Sequence, residues 1–348
     1  NWQPFQNGMP TASVHDIRLQ PQTNDLIIAT HGRSVYIMDD MTPVQQLMPA
    51  VASGAELFVP PASYEWSLHS DDEGTYTNYA GSNPPYGVMI TYYQKEPQKD
   101  APKLEIMDRY GRVLRTVSGT RKVGGKDVPR VSNKAGLNRY TWDFQINGPV
   151  KWTGAAKEAY QGPNEGPGVP PGMYSVRLTI GKTAFVRSFT VAPDPRSHFT
   201  QADYERSYAA SKRVQAQYSL IDTMLNNLDA AKKDIDAATK AGTDKNAYAT
   251  VEAARVKIFN ALTANYQNDE DSIQTPGALR EDVQSAYFGS QGIITQPTVD
   301  YLKRIDAEVR DAVAQYNAFV TGPLVPVETA LKAAKQTPSA VTTPVTAP

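Results

Sequence analysis

The stretch from residue 25 to residue 40, DLIIATHGRSVYIMDD, restricts the fold of this chain more than any other part of its sequence. Two short apolar runs, Leu26–Ala29 and Val35–Met38, lie on either side of a turn that contains Gly32. Short apolar runs separated by a glycine-containing turn are typical of a β-hairpin. Residues 25–40 are therefore predicted to form two antiparallel strands.

The residues before this hairpin predict a larger β unit. Val14–Leu19 alternates apolar and polar residues and predicts a third strand. Trp2–Phe5 precedes a turn at Asn7 and Gly8 and predicts a fourth. Four strands in about forty residues have the size of one β-propeller blade. A single blade exposes apolar faces and strand edges, so we expect further blades from the same precursor or from a separate chain to cover them.

Residues 2–40 also carry a specific spelling, with Trp2, VHDI at 14–17, NDL at 24–26, ATHGR at 29–33 and DD at 39–40. This pattern resembles the closing repeat of large bacterial β-propellers with BNR or sortilin-like repeats, a family often labelled as glycosyl hydrolases. The resemblance implies that residues 1–48 are the terminal blade of an incomplete propeller. It also implies an exported protein, extracellular or periplasmic, of which this chain is the C-terminal part.

Composition and charge exclude several classes of function. The 348 residues carry 35 basic and 36 acidic side chains, a net charge of −1, so no nucleic acid is expected as a partner. No apolar stretch approaches the roughly 20 residues that span a bilayer, so no membrane span is expected. The absence of cysteine excludes disulfides, thiolate metal ligands and cysteine nucleophiles. No cofactor is predicted.

Residues 57–195 predict an all-β domain. Short β-rich runs recur between turn signals at Val88–Tyr93, Lys103–Met107, Val113–Val117, Asn138–Asp143, Met173–Ile180 and Thr183–Val191. About seven such strands are typical of an Ig-like β-sandwich. The segments LEIMDRYGRVLRT, GLNRYTWDF and PPGMYSVRLT resemble the FlgD-type Ig-like module of secreted bacterial proteins. The Gly- and Pro-rich segment 147–169 is predicted to be a surface loop between two strands.

Residues 198–336 predict α-helices. Thr200 is a candidate helix cap, and an apolar stripe follows it at Val214, Tyr218, Ile221, Leu225, Leu228 and Ile235. Similar stripes recur at 247–262 and 302–319, and three such helices predict an antiparallel three-helix bundle. Residues 274–292 are predicted to be a loop with one helical turn. Residues 337–348 consist mostly of Pro, Thr, Ala and Val, which predicts an extended or disordered tail.

The first candidate binding residues are His31, Arg33 and Asp39. His31 and Arg33 lie in the predicted turn, and Asp39 ends the next strand. They would form a polar cluster at a propeller face, where ligands of such proteins bind. The alternative is structural, because a repeat motif recurs in blades that cannot all be active. These side chains would then hydrogen-bond between blades and cap turns.

Tyr76 and Tyr79 are the other candidate binding residues. They belong to a sequence region rich in aromatic residues, with Trp66, Tyr86, Tyr92 and Tyr93. These rings would form a surface on which sugars stack. The alternative is that they pack on a face of the predicted sandwich.

No motif in the chain identifies a reaction. The sequence lacks H-E-x-x-H, G-x-G-x-x-G, the P-loop, G-x-S-x-G and the sialidase Asp-box. His69 and the acidic residues at 71–73 lack the spacing of a calcium loop, so no metal site is predicted. Asp39 and Asp40 are adjacent and would point to opposite faces of a strand, which makes them a poor pair for glycoside hydrolysis. No catalytic residue is predicted.

Together these features predict a non-catalytic C-terminal portion of an exported propeller protein. It would close the propeller and offer docking surfaces for a carbohydrate or protein ligand. Two alternatives remain open. The chain could belong to a carbohydrate-active glycoside hydrolase whose catalytic residues lie mainly outside it, or it could be a scaffold subunit of a larger protein complex.

Overall fold

Strands fill most of the first half of the chain and helices most of the second. The structure, a computed structural model, describes residues 8–66, 84–154, 165–242, 244, 246–263 and 279–348. The chain divides into two compact units, the first formed by residues 1–145 and 170–198 and the second by 146–169 and 199–348. The predicted mixture of β-sheets and helices is confirmed.

The described residues form strands and helices. Their order is β1 (Val14–Gln20), β2 (Asp25–Thr30), β3 (Val35–Met38), α1 (Thr42–Gln45), α2 (Leu47–Ser53), β4 (Ala55–Leu57), β5 (Ser63–Glu65), β6 (Val88–Gln94), β7 (Lys103–Asp108), β8 (Val113–Val117), β9 (Thr120–Val123), β10 (Lys126–Pro129) and β11 (Gly136–Trp142). The chain continues with β12 (Gln145–Asn147), β13 (Glu165–Gly168), β14 (Gly172–Ile180), β15 (Thr183–Pro193), α3 (Gln201–Ala241), α4 (Ala249–Leu262), α5 (Leu279–Gly289), α6 (Gln296–Thr321) and α7 (Val325–Ala333).

Strands β1, β2 and β3 form an antiparallel meander in that order. The hairpin predicted around Gly32 and the strand predicted before it are therefore confirmed. The fourth strand predicted at residues 2–5 lies outside the described residues. Within the part of the chain that the structure describes, no sheet closes into a propeller.

Two further sheets share the core of the first unit. One has the order β11-β6-β4, and the other has the order β5-β15-β14-β7-β8. Trp142 of β11 is fully buried, and its ring centroid lies 5.9 Å from those of Tyr174 and Phe189 on the second sheet. Aromatic contacts in this range stabilise a core beyond the area that they bury. A hairpin of β9 and β10, which the sequence analysis missed, turns at Gly124 and Gly125, both with positive φ.

Residues 42–53 lie at the end of the predicted terminal blade, residues 1–48, and just beyond it. They form the helices α1 and α2. Pro43 fits the first turn of α1, where a helix needs no N–H donor. Gly54 ends α2 in the left-handed conformation, which glycine adopts without a steric penalty.

The prediction of a surface loop at 147–169 is wrong for its described parts, which belong to the second unit. Strands β12 and β13 pair with each other, and Trp152 is anchored on α3. Its backbone N–H donates to Asp222 over 2.8 Å, and its indole N–H donates to Asp229 over 2.6 Å. A half-buried indole needs an acceptor, which α3 supplies.

Helix α3 begins with a capping box, in which Thr200 and Asp203 satisfy each other's backbone N–H groups. All six residues of the predicted apolar stripe on α3 are buried. The described second unit has five helices rather than three, because α5 and α7 also contribute buried side chains. Val283 and Tyr287 of α5 fill the space that the predicted loop would have left open.

Residues 337–348 are extended as predicted, but they are not disordered. Backbone groups of this segment are hydrogen-bonded to side chains of α3 and α6. Ala340, Val345 and Ala347 pack against the helical core. Composition alone predicted disorder because it does not reveal acceptors and donors on other elements.

Candidate functional site

Asn24, Asp25 and Asp40 of the repeat motif have structural roles. The Asp25 carboxylate accepts the backbone N–H of Asp40 over 2.9 Å. The Asp40 carboxylate in turn accepts the N–H of Thr42 over 3.1 Å, and the Asn24 amide donates to the Thr42 hydroxyl over 3.0 Å. These contacts join the start of β2 to the start of α1. They agree with the structural alternative for the motif.

His31 and Arg33 are exposed in the turn between β2 and β3. The His31 ring stacks on His15, with 4.8 Å between centroids and 28° between ring planes. His15 lies where the register of β1 shifts against β2, and the His31 backbone N–H donates to Ser13 over 2.9 Å. This stacked pair closes the turn on the first residues of β1.

Asp39 does not join His31 and Arg33. It follows β3 at the end opposite the turn, and a four-residue strand alone spans about 13 Å. Burial raises the pKa of Asp39 above its usual value, the nearby Asp25 carboxylate raises it further, and Arg139 opposes both. The predicted cluster of these three side chains is therefore not formed.

Tyr76 and Tyr79, like His69 and the acids at 71–73, lie outside the described residues. Of their aromatic neighbours, Tyr92 is buried while Trp66 and Tyr86 are exposed. Tyr86 packs edge-on against Phe144 at 5.1 Å. The described rings thus divide between core and surface, and a shared sugar-stacking face remains a prediction.

Glu65, at the end of β5, is a polar residue that the sequence analysis missed. Burial raises the pKa of its carboxyl to about 7. Burial also raises the pKa of Tyr86 to about 12, and the charges of Glu65 and Asp143 act in the same direction. Glu65 is therefore protonated in a substantial fraction of molecules at neutral pH. Sequence alone could not reveal this, because the cause is tertiary burial.

A cleft of about 220 Å³ lies between α4, α5 and α6. Its floor includes Ile258, Leu262 and Leu279, and the carboxylates of Asp282 and Asp311 contribute to its lining. Its volume is below the roughly 300–1,000 Å³ of most small-molecule sites. The cleft is therefore a weaker candidate than the β1–β3 surface.

The β1–β3 sheet carries exposed apolar residues on its first face. Ile17 pairs with Ile28 and Leu19 pairs with Leu26, so the four side chains share this face. Ile28 is buried, whereas Ile17 is 58% and Leu19 49% exposed. A face with this composition normally packs against another layer.

The opposite face is mixed: β1 places the exposed ion pair of Asp16 and Arg18 there, and β3 places exposed apolar residues there. Val35 pairs with Ala29, and Ile37 pairs with Ile27. Val35 is 56% and Ile37 63% exposed. Antiparallel sheets that face water on one side have one polar face. Here the β3 side of the second face is apolar and exposed although β1 makes that face polar, so exposed apolar residues lie on both faces of the sheet.

The backbone of the sheet is also incompletely paired. In the described residues β1 and β3 are its edges, and each pairs with β2 alone. Edge strands present N–H and C=O groups that can pair with another strand. We call the two faces and two edges of β1–β3 the docking sheet. Its side chains were predicted as strand residues but not as site residues, although the unbroken apolar run of β2 was the available signal.

Nothing in the described ranges indicates a metal site, because no three acidic or histidine side chains converge there. None of the described helices is both long and apolar enough to cross a bilayer. No family model, curated protein or solved structure matches the chain. The site must therefore be judged on its own geometry.

Proposed function

We propose that this chain is a docking and closing element of an exported β-propeller protein. In this proposal the docking sheet is part of a terminal blade and packs against neighbouring blades, and the rest of the chain braces it. The observation that carries the proposal is the exposure of apolar side chains on both faces of β1–β3. The chain itself is non-catalytic in this role.

The free energy that a partner would gain by covering these side chains can be compared with the cost of association. Burying a half-exposed Ile, Leu or Val recovers about 1 kcal/mol, so the four most exposed residues of the two faces supply roughly 4 kcal/mol. Association costs about 4–15 kcal/mol in lost freedom. Contact with these side chains alone is therefore too weak. The partner must also pair with an edge strand or be connected through the chain.

The finer fold assignments are part of the same proposal. We assign the two larger sheets of the first unit to an Ig-like sandwich of the FlgD type. Trp142 packs between the sheets, and the Tyr174 hydroxyl donates to the Pro170 carbonyl over 2.6 Å. A tyrosine that bonds backwards in this way near the start of a strand is found in Ig-like domains. We assign the helices of the second unit to an antiparallel bundle built on α3.

The proposal is tested with a polypeptide that carries further repeats of the W…THGR form, mixed with the full chain. The double variant Ile17→Lys and Ile37→Lys places a charge on each face of the docking sheet. We expect it to weaken binding at least tenfold, measured by sedimentation.

The matched control is Val113→Lys with Val186→Lys, two exposed apolar strand residues of another sheet. This control is expected to bind as the unmodified chain does. Equal binding by both double variants, or no binding by the unmodified chain, would contradict the proposal.

A further inference from the structure

The segment 337–348 lies on the helices through contacts to its backbone. Asp234 of α3 accepts the N–H of Ser339 with both carboxylate oxygens, at 3.0 and 2.8 Å, and the N–H of Ala340 at 2.7 Å. Asn227, two turns earlier on α3, accepts the N–H of Val341 at 2.7 Å and donates to its carbonyl at 2.9 Å. One face of α3 thus binds three successive residues of an extended chain.

Helix α6 repeats the same arrangement four residues further along the segment. Asn317 accepts the N–H of Val345 and donates to its carbonyl, both at 2.9 Å. An amide that bonds both backbone groups of one residue recognises an extended conformation, whatever side chain that residue carries. Asn227 and Asn317 therefore form a pair of backbone-binding amides on two neighbouring helices.

The polar groups on α3 are buried beside the apolar core. Asp234 is 5% and Asn227 8% exposed, and the Asn227 amide also donates to the Tyr316 hydroxyl at 2.7 Å. A buried polar group that loses its partner costs about 1–3 kcal/mol. The backbone of the segment supplies these partners while it covers the groups, and water or another hydrogen-bonding chain must supply them when the segment leaves.

The side chains of the segment add little selectivity. Ala340, Val345 and Ala347 pack against the helical core, and each is small and uncharged. Thr342 donates to Glu328 over 3.0 Å, which is the one side-chain hydrogen bond that the structure shows from this segment. An occupant must therefore be extended and carry small uncharged side chains, while most other features of its sequence are free.

We propose that Asn227, Asp234 and Asn317 form a peptide-binding groove for extended, uncharged segments with small side chains. Residues 337–348 occupy the groove in cis, and a segment of the same chemistry from a partner chain can replace them. The cis segment is favoured because a short connection gives an effective concentration in the millimolar range. Its release requires the opening of the hydrogen bonds to Asp234, Asn227 and Asn317, beyond the turn at Lys335, which has a positive φ.

The test uses the full chain with Val341→Pro and Val345→Pro. Each proline removes an N–H that an asparagine accepts and keeps the segment extended, so the groove should be released without loss of the helices. The probe is a fluorescein-labelled peptide of sequence TPSAVTTPVTAP, followed by anisotropy. We expect saturable binding to the variant at least tenfold tighter than to the unmodified chain, with the helical circular dichroism signal retained.

Three controls define the outcome. Thr343→Pro with Thr346→Pro inserts the same two prolines at other positions of the segment and should leave peptide binding as weak as in the unmodified chain. Adding Asn317→Ala to the released variant should weaken binding at least tenfold, whereas Gln315→Ala on the same helix should not. A peptide N-methylated at the positions of Val341 and Val345 should compete at least tenfold less well than the unmodified peptide.

Competition by altered peptides distinguishes a groove that binds many extended segments from a site that binds only the sequence of residues 337–348. A peptide with Ser339→Ala, Thr343→Ala and Thr346→Ala should compete within about threefold of the original. Failure of this peptide to compete would overturn the proposal of a general groove. Equal competition by the N-methylated peptide, or no binding by the released and still helical variant, would also overturn it.

Discussion

The docking sheet and the helical unit, residues 199–348, are both built from patterned apolar residues, but those residues end in opposite environments. Both show strong apolar periodicity, and both form the elements that this periodicity predicts. In the helical unit Ile221 and Ile305 are completely buried, whereas in the docking sheet Ile17 and Ile37 are more than half exposed. The contrast shows that periodicity determines an element and its faces. Whether the same chain supplies a cover for those faces is a separate question.

The polar groups show the same contrast. In the helical unit even residues 337–348 have hydrogen-bond partners, because their backbone N–H groups donate to side chains of α3 and α6. Among the residues that the structure describes, the docking sheet has two edge strands that each pair on one side. In that part of the chain the helical unit covers its own polar groups, whereas the docking sheet leaves strand edges and apolar side chains exposed.

The largest effect on stability is expected for Arg280→Ala in the helical unit. Arg280 donates to the fully buried Asp222 over 2.7 Å, and removing it leaves that carboxylate without its cation. Breaking a buried pair in this way costs about 3–5 kcal/mol. We expect the free energy of unfolding to fall by that amount in urea titrations. Arg304→Ala, in an exposed pair with Glu308, is the control and should cost less than about 0.5 kcal/mol.

A second substitution, Ile305→Ala, tests the packing of the helical unit. Ile305 is fully buried, and truncating a buried isoleucine costs about 2–5 kcal/mol because a cavity is left. We expect about 3 kcal/mol, measured as the shift in urea midpoint at constant slope. A cost below about 1 kcal/mol would show that the helical core is loosely packed and would remove the contrast with the docking sheet.

Glu65 tests a third environment, a half-buried carboxyl at the end of β5. Its pKa is about 7 in the folded chain and near the ordinary value of 4.5 when unfolded. The folded state therefore holds the proton more tightly, so this group's contribution to stability is complete below pH 4.5. It is lost as the pH rises from 4.5 to 7. We expect Glu65→Gln to raise the free energy of unfolding by about 3 kcal/mol at pH 8 and by little at pH 4.

The control for this pH profile is Glu96→Gln, because Glu96 is exposed. This substitution of an exposed residue should change the free energy of unfolding by less than about 0.5 kcal/mol. A Glu65→Gln difference that is the same at both pH values would show that the Glu65 carboxyl ionises as freely in the folded chain as in the unfolded one.

The smallest effect is expected in the docking sheet itself. Ile17→Ala and Ile37→Ala remove exposed side chains, and such surface substitutions change the free energy of unfolding by less than about 0.5 kcal/mol. The same measurement as for Ile305→Ala then gives a paired comparison of one substitution in two environments. A cost above about 2 kcal/mol for either variant would mean that the sheet is already covered within the chain.

The sequence predicted the regular elements well where the signal is local. The strand Val35–Met38, the capped start of α3 and its buried stripe follow from an apolar run beside a glycine turn, from Thr200 and from a four-three spacing. The helices of residues 42–53 were not predicted, because a short Pro-containing segment has no clear period. Helix α5 was underestimated because its neighbours Gln274 to Gly277 contain strong loop signals.

The docking sheet was harder to predict, because it is defined by side chains that no other part of the described chain covers. His31, Arg33 and Asp39 were predicted as binding residues because they are polar. In the structure, Asn24, Asp25 and Asp40 of the same motif form hydrogen bonds within the unit. Strand β3 separates Asp39 from the turn that carries His31 and Arg33. The exposure of Ile37 depends on tertiary neighbours and cannot be read from alternation. The contacts of Asn227 and Asn317 with the tail join residues 114 and 28 positions apart, beyond the reach of any local pattern.

One measurement tests the central claim most directly. Because the chain lacks cysteine, single variants Ile37→Cys and Val186→Cys report the exposure of the docking sheet and of a control strand through their rates of maleimide labelling. Both should react quickly in the chain alone. When a polypeptide with further W…THGR repeats is added, we predict that labelling at position 37 slows at least tenfold while labelling at position 186 does not change. An unchanged rate at position 37, under conditions where both polypeptides are folded and in excess, would contradict the assignment of β1–β3 as a docking sheet.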